Sequence, residues 1–302
     1  MICGEKTFPV IEAKGDSIDL ERTPKKNRRG RKEYNVVLTD QQIRFFNTFG
    51  YLVFKNLFSK DEIEGIARDF DGAMSRFGTD TMVSGVLRRH LHAPIEHSRN
   101  LSALLDDDRV LTIATSLLGP DFNYVGGDGT VDAGDTGWHI DGNWGEHFAA
   151  KMIFFLDPVR RDTGCLRIVP GSQRPNHHIR AYRIDPNRSR ELFGIDPRDF
   201  PGNVPLEADP GDGIIFNHDL YHALFGGPSS RREFTLNLTK HCHNQVDLMT
   251  LRDYLKVNSL RDRPLSNLYS DVMLETAGDE RRKHLQQLLD LDLTASRKLV
   301  GV

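Results

Sequence analysis

Apolar positions first recur at helical spacing and later gather into short β-like runs. Thr39 and Gln42 form a capping box ahead of Ile43, Phe46 and Phe49, which share one helical face, and Gly50 stands where a left-handed stop belongs. Tyr51-Leu52-Val53-Phe54 then reads as a strand. Ser59 and Glu62 form a second capping box, opening a helix that carries Ile63, Ile66, Ala67 and Phe70. Farther along, residues 151–156 read as a buried strand ending at Asp157-Pro158, and residues 163–172 as the next, closed by Pro170-Gly171. Residues 211–216, the turn Asn217-His218-Asp219, Leu220-Tyr221-His222 and the run 234–239 continue the β pattern. Residues 246–255 and 281–293 read as amphipathic helices. The pattern predicts a mainly β core with flanking helices.

Two stretches lack this periodicity. Residues 1–35 form a basic arm around the run 22–32, expected to be solvated or packed on the core, with residues 36–302 a single domain. Residues 173–205 are rich in Arg and Pro and are expected to form a lid; Arg180, Arg183, Arg188 and Arg190 read mainly as its solvated face. The 40 Lys and Arg against 43 Asp and Glu leave a formal charge of −3, so no general attraction to nucleic acid is implied. Three scattered cysteines do not make a disulfide framework, no apolar run reaches a membrane span, and the N-terminus lacks a signal layout. A cytoplasmic location is the expectation, and oligomeric state is left open.

Chemistry enters with Trp138-His139-Ile140-Asp141. On a strand, residues i and i+2 project to the same side, so His139 and Asp141 can aim a nitrogen and an oxygen at one point while Ile140 turns away. A distant His completes a 2-His-1-carboxylate set, which holds Fe(II) on one face and leaves the opposite positions open. His218 and His222 compete for that role. His218 sits among turn formers, whereas Leu220-Tyr221 leads His222 along a strand, which favours His222. His90-Leu91-His92 is a second strand-spaced pair, with no carboxylate or Cys cluster near it in the sequence.

These residues, together with Leu38-Thr39-Asp40-Gln41-Gln42, Phe49-Gly50-Tyr51-Leu52-Val53, the segment 164–172 and Gly211-Asp212, resemble the phytanoyl-CoA dioxygenase family of Fe(II)/2-oxoglutarate-dependent oxygenases. The resemblance spans roughly residues 36 to 240. It implies a double-stranded β-helix, a cupin-like jelly roll with helices outside. It makes His139, Asp141 and His222 both iron ligands and catalytic residues. It also makes Arg232 the partner of the distal carboxylate of 2-oxoglutarate. The chain departs from many relatives in carrying Leu224 where a Ser bonds that carboxylate, and Gly226-Gly227-Pro228-Ser229-Ser230 where a turn Asn is usual. Thr163 or Tyr124 is expected to supply the missing hydroxyl. The shortened turn leaves Arg231 and Arg232 in competition. Arg232 is preferred because it begins the alternation Arg232, Phe234, Leu236, Leu238, whose apolar members face a core, while Arg231 shares a face with Glu233, Thr235 and Asn237.

The expected activity is hydroxylation or a related C–H oxidation of a small organic molecule, consuming dioxygen and converting 2-oxoglutarate to succinate. An intact Asp141 argues against halogenation, since halogenating relatives replace this carboxylate with a small residue. Arg88, His90, Asn143 and Trp144 are the candidate substrate contacts, and the basic residues suit an anionic substrate. The alternatives are an inactive metal- and 2-oxoglutarate-binding sensor, or an oxygenase acting on a protein or nucleic acid docked by the basic arm.

Overall fold

The computed structural model describes residues 25–26, 32–33, 38–83, 86–131, 134–142, 147–226, 231–257 and 268–291. Most of the basic arm lies outside them; within it, β1 (Lys25–Lys26) and β2 (Lys32–Glu33) pair antiparallel. The remaining strands are β3 (Tyr51–Phe54), β4 (Thr79–Val83), β5 (Val86–His92), β6 (Asn123–Tyr124), β7 (Asp128–Val131), β8 (Thr136–His139), β9 (Ala149–Phe155), β10 (Leu166–Ile168), β11 (Val204–Leu206), β12 (Gly213–Asn217), β13 (His222–Leu224) and β14 (Arg232–Thr239). They form a major sheet in the order β3-β12-β9-β14-β7-β5-β4, with β6 beside β14, and a minor sheet in the order β11-β10-β13-β8. All pairings are antiparallel. The two sheets face each other as a jelly roll.

Three apolar clusters show which way each strand face points. Between the sheets lie Tyr51 and Val53 of β3, Ile153 and Phe155 of β9, Leu166 and Ile168 of β10, Ile214 and Phe216 of β12, and Leu224 of β13. Behind the major sheet, the alternate residues Leu52, Phe54, Met152, Phe154, Ile215, Phe234, Leu236 and Leu238 pack against helices. These helices are α1 (Asp40–Phe49), α2 (Lys60–Phe77), α3 (Arg99–Ser102) and α4 (Asp108–Leu118), together with α7 (Gln245–Val257), α8 (Asp271–Glu275) and α9 (Asp279–Leu289). Both expected capping boxes form, at Thr39/Gln42 and Ser59/Glu62, and Gly50 closes α1 at φ 85°. Phe70 of α2 stacks on Phe234, which stacks on Phe154, tying helix to sheet. Full burial of one such ring contributes about 1.5–3 kcal/mol. Gly127, between β6 and β7, has no room for a side chain: a Cβ there would lie 2.0 Å from the Thr235 carbonyl oxygen.

The third cluster lies under the segment expected to form a lid. Residues 173–205 fold into α5 (His178–Ala181), α6 (Ser189–Phe193) and short 3-10 turns packed on the outer face of the minor sheet. There Ile179 and Phe200 join Trp138, Val169, Ala223 and Phe225. Asn187 receives a hydrogen bond from the Trp138 N–H and donates to the Trp138 carbonyl, and the Trp138 indole N–H donates to the Pro197 carbonyl at 2.7 Å. Arg180 donates to the Ser172 and Asp219 carbonyls, and Arg188 and Arg190 pair with Glu191 and Asp196 within the segment. The segment buttresses the strand that carries His139.

Candidate metal centre

Pairing of β8 with β13 sets His139 directly opposite His222. Asp141 lies just past β8, where its N–H donates to the His218 carbonyl at 2.9 Å. The three side chains converge: His222 Nε2 is 3.4 Å from Asp141 Oδ2, His139 Nε2 is 3.9 Å from Asp141 Oδ1, and one ligand atom from each lies within 4.8 Å of the others. Backbone carbonyls set both imidazoles. His139 Nδ1 is 2.7 Å from the Gly137 carbonyl and His222 Nδ1 is 2.9 Å from the Leu220 carbonyl. A carbonyl only accepts, so Nδ1 carries the proton in each ring and the Nε2 lone pairs face the carboxylate. Asp141 Oδ2 is buried without a hydrogen bond. An unbonded buried carboxylate oxygen costs on the order of 1–3 kcal/mol, and a cation between these three groups would remove that cost. The donor set fits a divalent iron.

Electrostatics keep the ligands in their binding forms. Burial, opposed by Asp141, pushes His222 down to about 3, so it stays neutral near pH 7. Burial alone would raise the Asp141 carboxyl, but Lys151, His222, His218 and His139 together hold it below the usual carboxylate range. Lys151 sits on β9 with the inward-facing Ile153 and Phe155, and its Nζ lies 3.0 Å from Asp141 Oδ1. His218 is fully buried behind the centre, with its ring against Tyr254, and burial lowers it to about 4. It contributes its backbone carbonyl to Asp141 and stands outside the triad.

Arg232 does not face the space between the sheets. Its guanidinium pairs with Asp157 at 2.7 Å and with Asp71 of α2 at 2.8 Å, on the helix side. Arg231 faces inward and is 1% exposed. Its Nε donates to Glu233 Oε2 at 3.1 Å, and Nη1 and Nη2 have no hydrogen-bond partner. The side assigned to Arg232 is corrected: the apolar alternation of β14 faces the outer helices, while the polar set Glu233, Thr235, Asn237 and Thr239 is buried on the inner side. The hydroxyl candidates also fall elsewhere. Thr163 is exposed, and its Oγ1 accepts from the Arg160 N–H within a turn. Tyr124 belongs to the cluster behind the major sheet and stacks on Tyr269.

Of the candidate substrate contacts, Asn143 and Trp144 lie outside the described residues. Arg88, His90 and His92 alternate on β5 opposite the outward Leu91, so they face inward. Arg88 donates to the Asp135 carbonyl at 2.5 Å and lies in the field of Arg231 and Glu233. His90 and His92 meet Asp128 of β7, a carboxylate distant in sequence. Sequence reasoning passed over Lys151, Glu233 and Asp128, and weighed Arg231 only as the less favoured of two arginines. The signal for Lys151 was a lone ammonium inside an otherwise apolar strand; for Arg231 and Glu233 it was the polar half of the β14 alternation.

The fold and the centre define a jelly-roll dioxygenase dependent on iron and 2-oxoglutarate. The family model for phytanoyl-CoA dioxygenase (PhyH) matches residues 46–232, and the chain belongs to that family. A dioxygenase of Epichloe uncinata, lolE1, is 26% identical over 193 residues, covering 59% of this chain and 68% of that protein. Among solved structures, apo EctD from S. alaskensis aligns with a TM-score of 0.54 at 21% identity, over 68% of this chain and 79% of its own. SnoK, a non-heme alpha-ketoglutarate-dependent carbocyclase from nogalamycin biosynthesis, aligns at 0.55 and 17%, over 67% and 84%. HygX from Streptomyces hygroscopicus with iron bound aligns at 0.53 and 17%, over 68% and 88%. At these identities the structural likeness establishes the fold. No helix among the described residues is long and apolar enough to cross a membrane.

Proposed function

We propose that the protein hydroxylates a C–H bond of a small organic molecule, with 2-oxoglutarate and dioxygen giving succinate and carbon dioxide. One oxygen atom enters the substrate and the other enters succinate, so the equation balances without a further reductant. The observation that carries this reading is the convergence of His139, Asp141 and His222 on the inner side of the minor sheet, together with the bare, buried guanidinium fork of Arg231 beside β14. Iron held by the triad would supply the redox chemistry. The protein's own groups do the rest. Lys151 fixes one Asp141 oxygen so that the other stays available, and the Gly137 and Leu220 carbonyls hold both imidazole rings in the binding tautomer.

Arg231 in this reading binds the distal carboxylate of 2-oxoglutarate. With Nε engaged by Glu233, its two terminal nitrogens form a planar fork that a carboxylate matches in a bidentate pair. Arg88, on the inner side of β5 in the field of Arg231 and Glu233, favours a substrate bearing an anionic group. Support from the neighbours is limited to what they hold: EctD has been crystallised with 2-oxoglutarate and 5-hydroxyectoine, and HygX with nickel and 2-oxoglutarate. The test is a metabolite screen under air with Fe(II) and 2-oxoglutarate, following succinate and then the mass of the product. A substrate that drives succinate release and gains one oxygen atom is expected. Succinate formation that is indifferent both to Arg231→Ala and to His222→Ala would sink the proposal.

A further inference from the structure

We propose a second metal site, built from His90, His92 and Asp128 and separate from the triad, that takes a divalent cation of the zinc type. β5 and β7 pair so that His92 stands opposite Asp128 and His90 opposite Thr130. The i, i+2 spacing puts both imidazoles on one face of β5, and the register brings the carboxylate of the neighbouring strand to them. His90 Nε2 is 3.1 Å and His92 Nδ1 is 3.5 Å from the same oxygen, Asp128 Oδ1, and the rings stand edge to face with centroids 4.4 Å apart. Ligands about 2.0–2.1 Å from a tetrahedral ion are separated by roughly 3.3–3.4 Å, close to both nitrogen–oxygen distances here, and all three ligand atoms lie within 4.8 Å of one another.

Chemistry and access agree with the spacing. Two imidazoles and one carboxylate suit zinc and its first-row neighbours better than the all-oxygen sets preferred by magnesium or calcium. All three residues are half-buried, so an ion can enter and a water can complete its shell. Binding would cross-link β5 to β7 beside the oxygenase centre. Lys151 lies in the field of Asp128 as well as Asp141, and its positive charge works against a second cation here.

The experiment is equilibrium dialysis of the full chain against Zn²⁺, with Co²⁺ absorption as a ligand-field readout. Wild-type protein is expected to hold two ions per chain, and His90→Ala/His92→Ala one. His139→Ala/His222→Ala should also hold one, which separates this proposal from the assignment of the triad. Asp128→Asn keeps the shape and removes the charge, and should weaken the second ion on the order of tenfold or more. Crystals of the wild-type protein grown with Zn²⁺ should show an anomalous peak between β5 and β7, a result that does not depend on any variant folding. A wild-type stoichiometry of one, two ions retained without His90 and His92, or no peak at Asp128 would each overturn the site.

Discussion

The two faces of β14 divide the work of the molecule. Outward, Phe234, Leu236 and Leu238 are fully buried against helices and carry no chemistry. Inward, Glu233, Thr235, Asn237 and Thr239 are almost as buried yet polar, each competing for partners in a confined space. β8 and β13 repeat the division: Trp138 and Ala223 pack under the 173–205 segment, while His139 and His222 face inward. In a jelly roll with helices outside, hydrophobicity alone does not mark the inside of the barrel. Both faces of the major sheet are covered, and the more apolar one belongs to the scaffold.

The sharpest way to break this division is to remove one inward group that should be needed for chemistry and little for folding. His222→Ala takes away a triad nitrogen whose ring protonates only near pH 3. We expect turnover to drop to background and iron binding at the triad to collapse, with the unfolding midpoint of the metal-free protein nearly unchanged. Phe234→Ala is the outward counterpart. Deleting a fully buried ring stacked on Phe70 and Phe154 should cost about 3–5 kcal/mol in denaturant unfolding. Iron affinity of the folded fraction should be unaltered. A Phe234→Ala protein with full stability, or a His222→Ala protein that turns over normally, would dissolve the comparison.

Arg231→Ala is expected next in size. Charge-assisted hydrogen bonds contribute on the order of 1.5–3 kcal/mol each, so the apparent 2-oxoglutarate requirement should rise about tenfold or more. Arg231→Lys should recover little of this, because an ammonium keeps the charge beside Glu233 but loses the fork. Saturating 2-oxoglutarate should restore most of the rate. Lys151→Met probes the metal side of the same space. Loss of the 3.0 Å contact to Asp141 should weaken iron binding by about 10–100-fold, read by anaerobic Fe(II) titration, with smaller change in the co-substrate requirement.

Much of this is legible in the sequence. Both capping boxes, the αL stop at Gly50, the strand 51–54 and the convergence of His139, Asp141 and His222 follow from local pattern and i, i+2 parity. Local pattern cannot give which side of a strand is the barrel interior, and that is where the reading of β14 inverted. Parity correctly grouped Arg232 with Phe234, Leu236 and Leu238; assigning that group to the barrel interior required the helices behind the sheet. The same limit hid Asp128, which meets His90 and His92 only through the β5–β7 register. The order within the 173–205 segment escaped local pattern for a different reason. Its order comes from tertiary contacts such as Trp138 with Asn187 and Pro197 rather than from helical or strand periodicity.

Arg232→Ala carries the smallest expected effect and cuts most directly between the two faces. Arg232 differs from Arg231 by one position and makes the richer set of visible bonds, to Asp157, Asp71 and the Leu156 carbonyl. Counting contacts would rank it the more important residue. Its partners are themselves partly exposed, however, and such pairs contribute about 0–1 kcal/mol after screening and side-chain entropy. Arg231 makes fewer bonds, but its terminal nitrogens are buried and unanswered, which is the state a ligand relieves. Arg232→Ala should therefore shift the unfolding midpoint slightly and leave the 2-oxoglutarate requirement within about twofold of wild type, a change worth under 0.5 kcal/mol. Raising the salt concentration should shrink even the stability difference, since these charges face solvent. A large rise in the 2-oxoglutarate requirement for Arg232→Ala, with Arg231→Ala silent, would mean that β14 presents its other face to the centre.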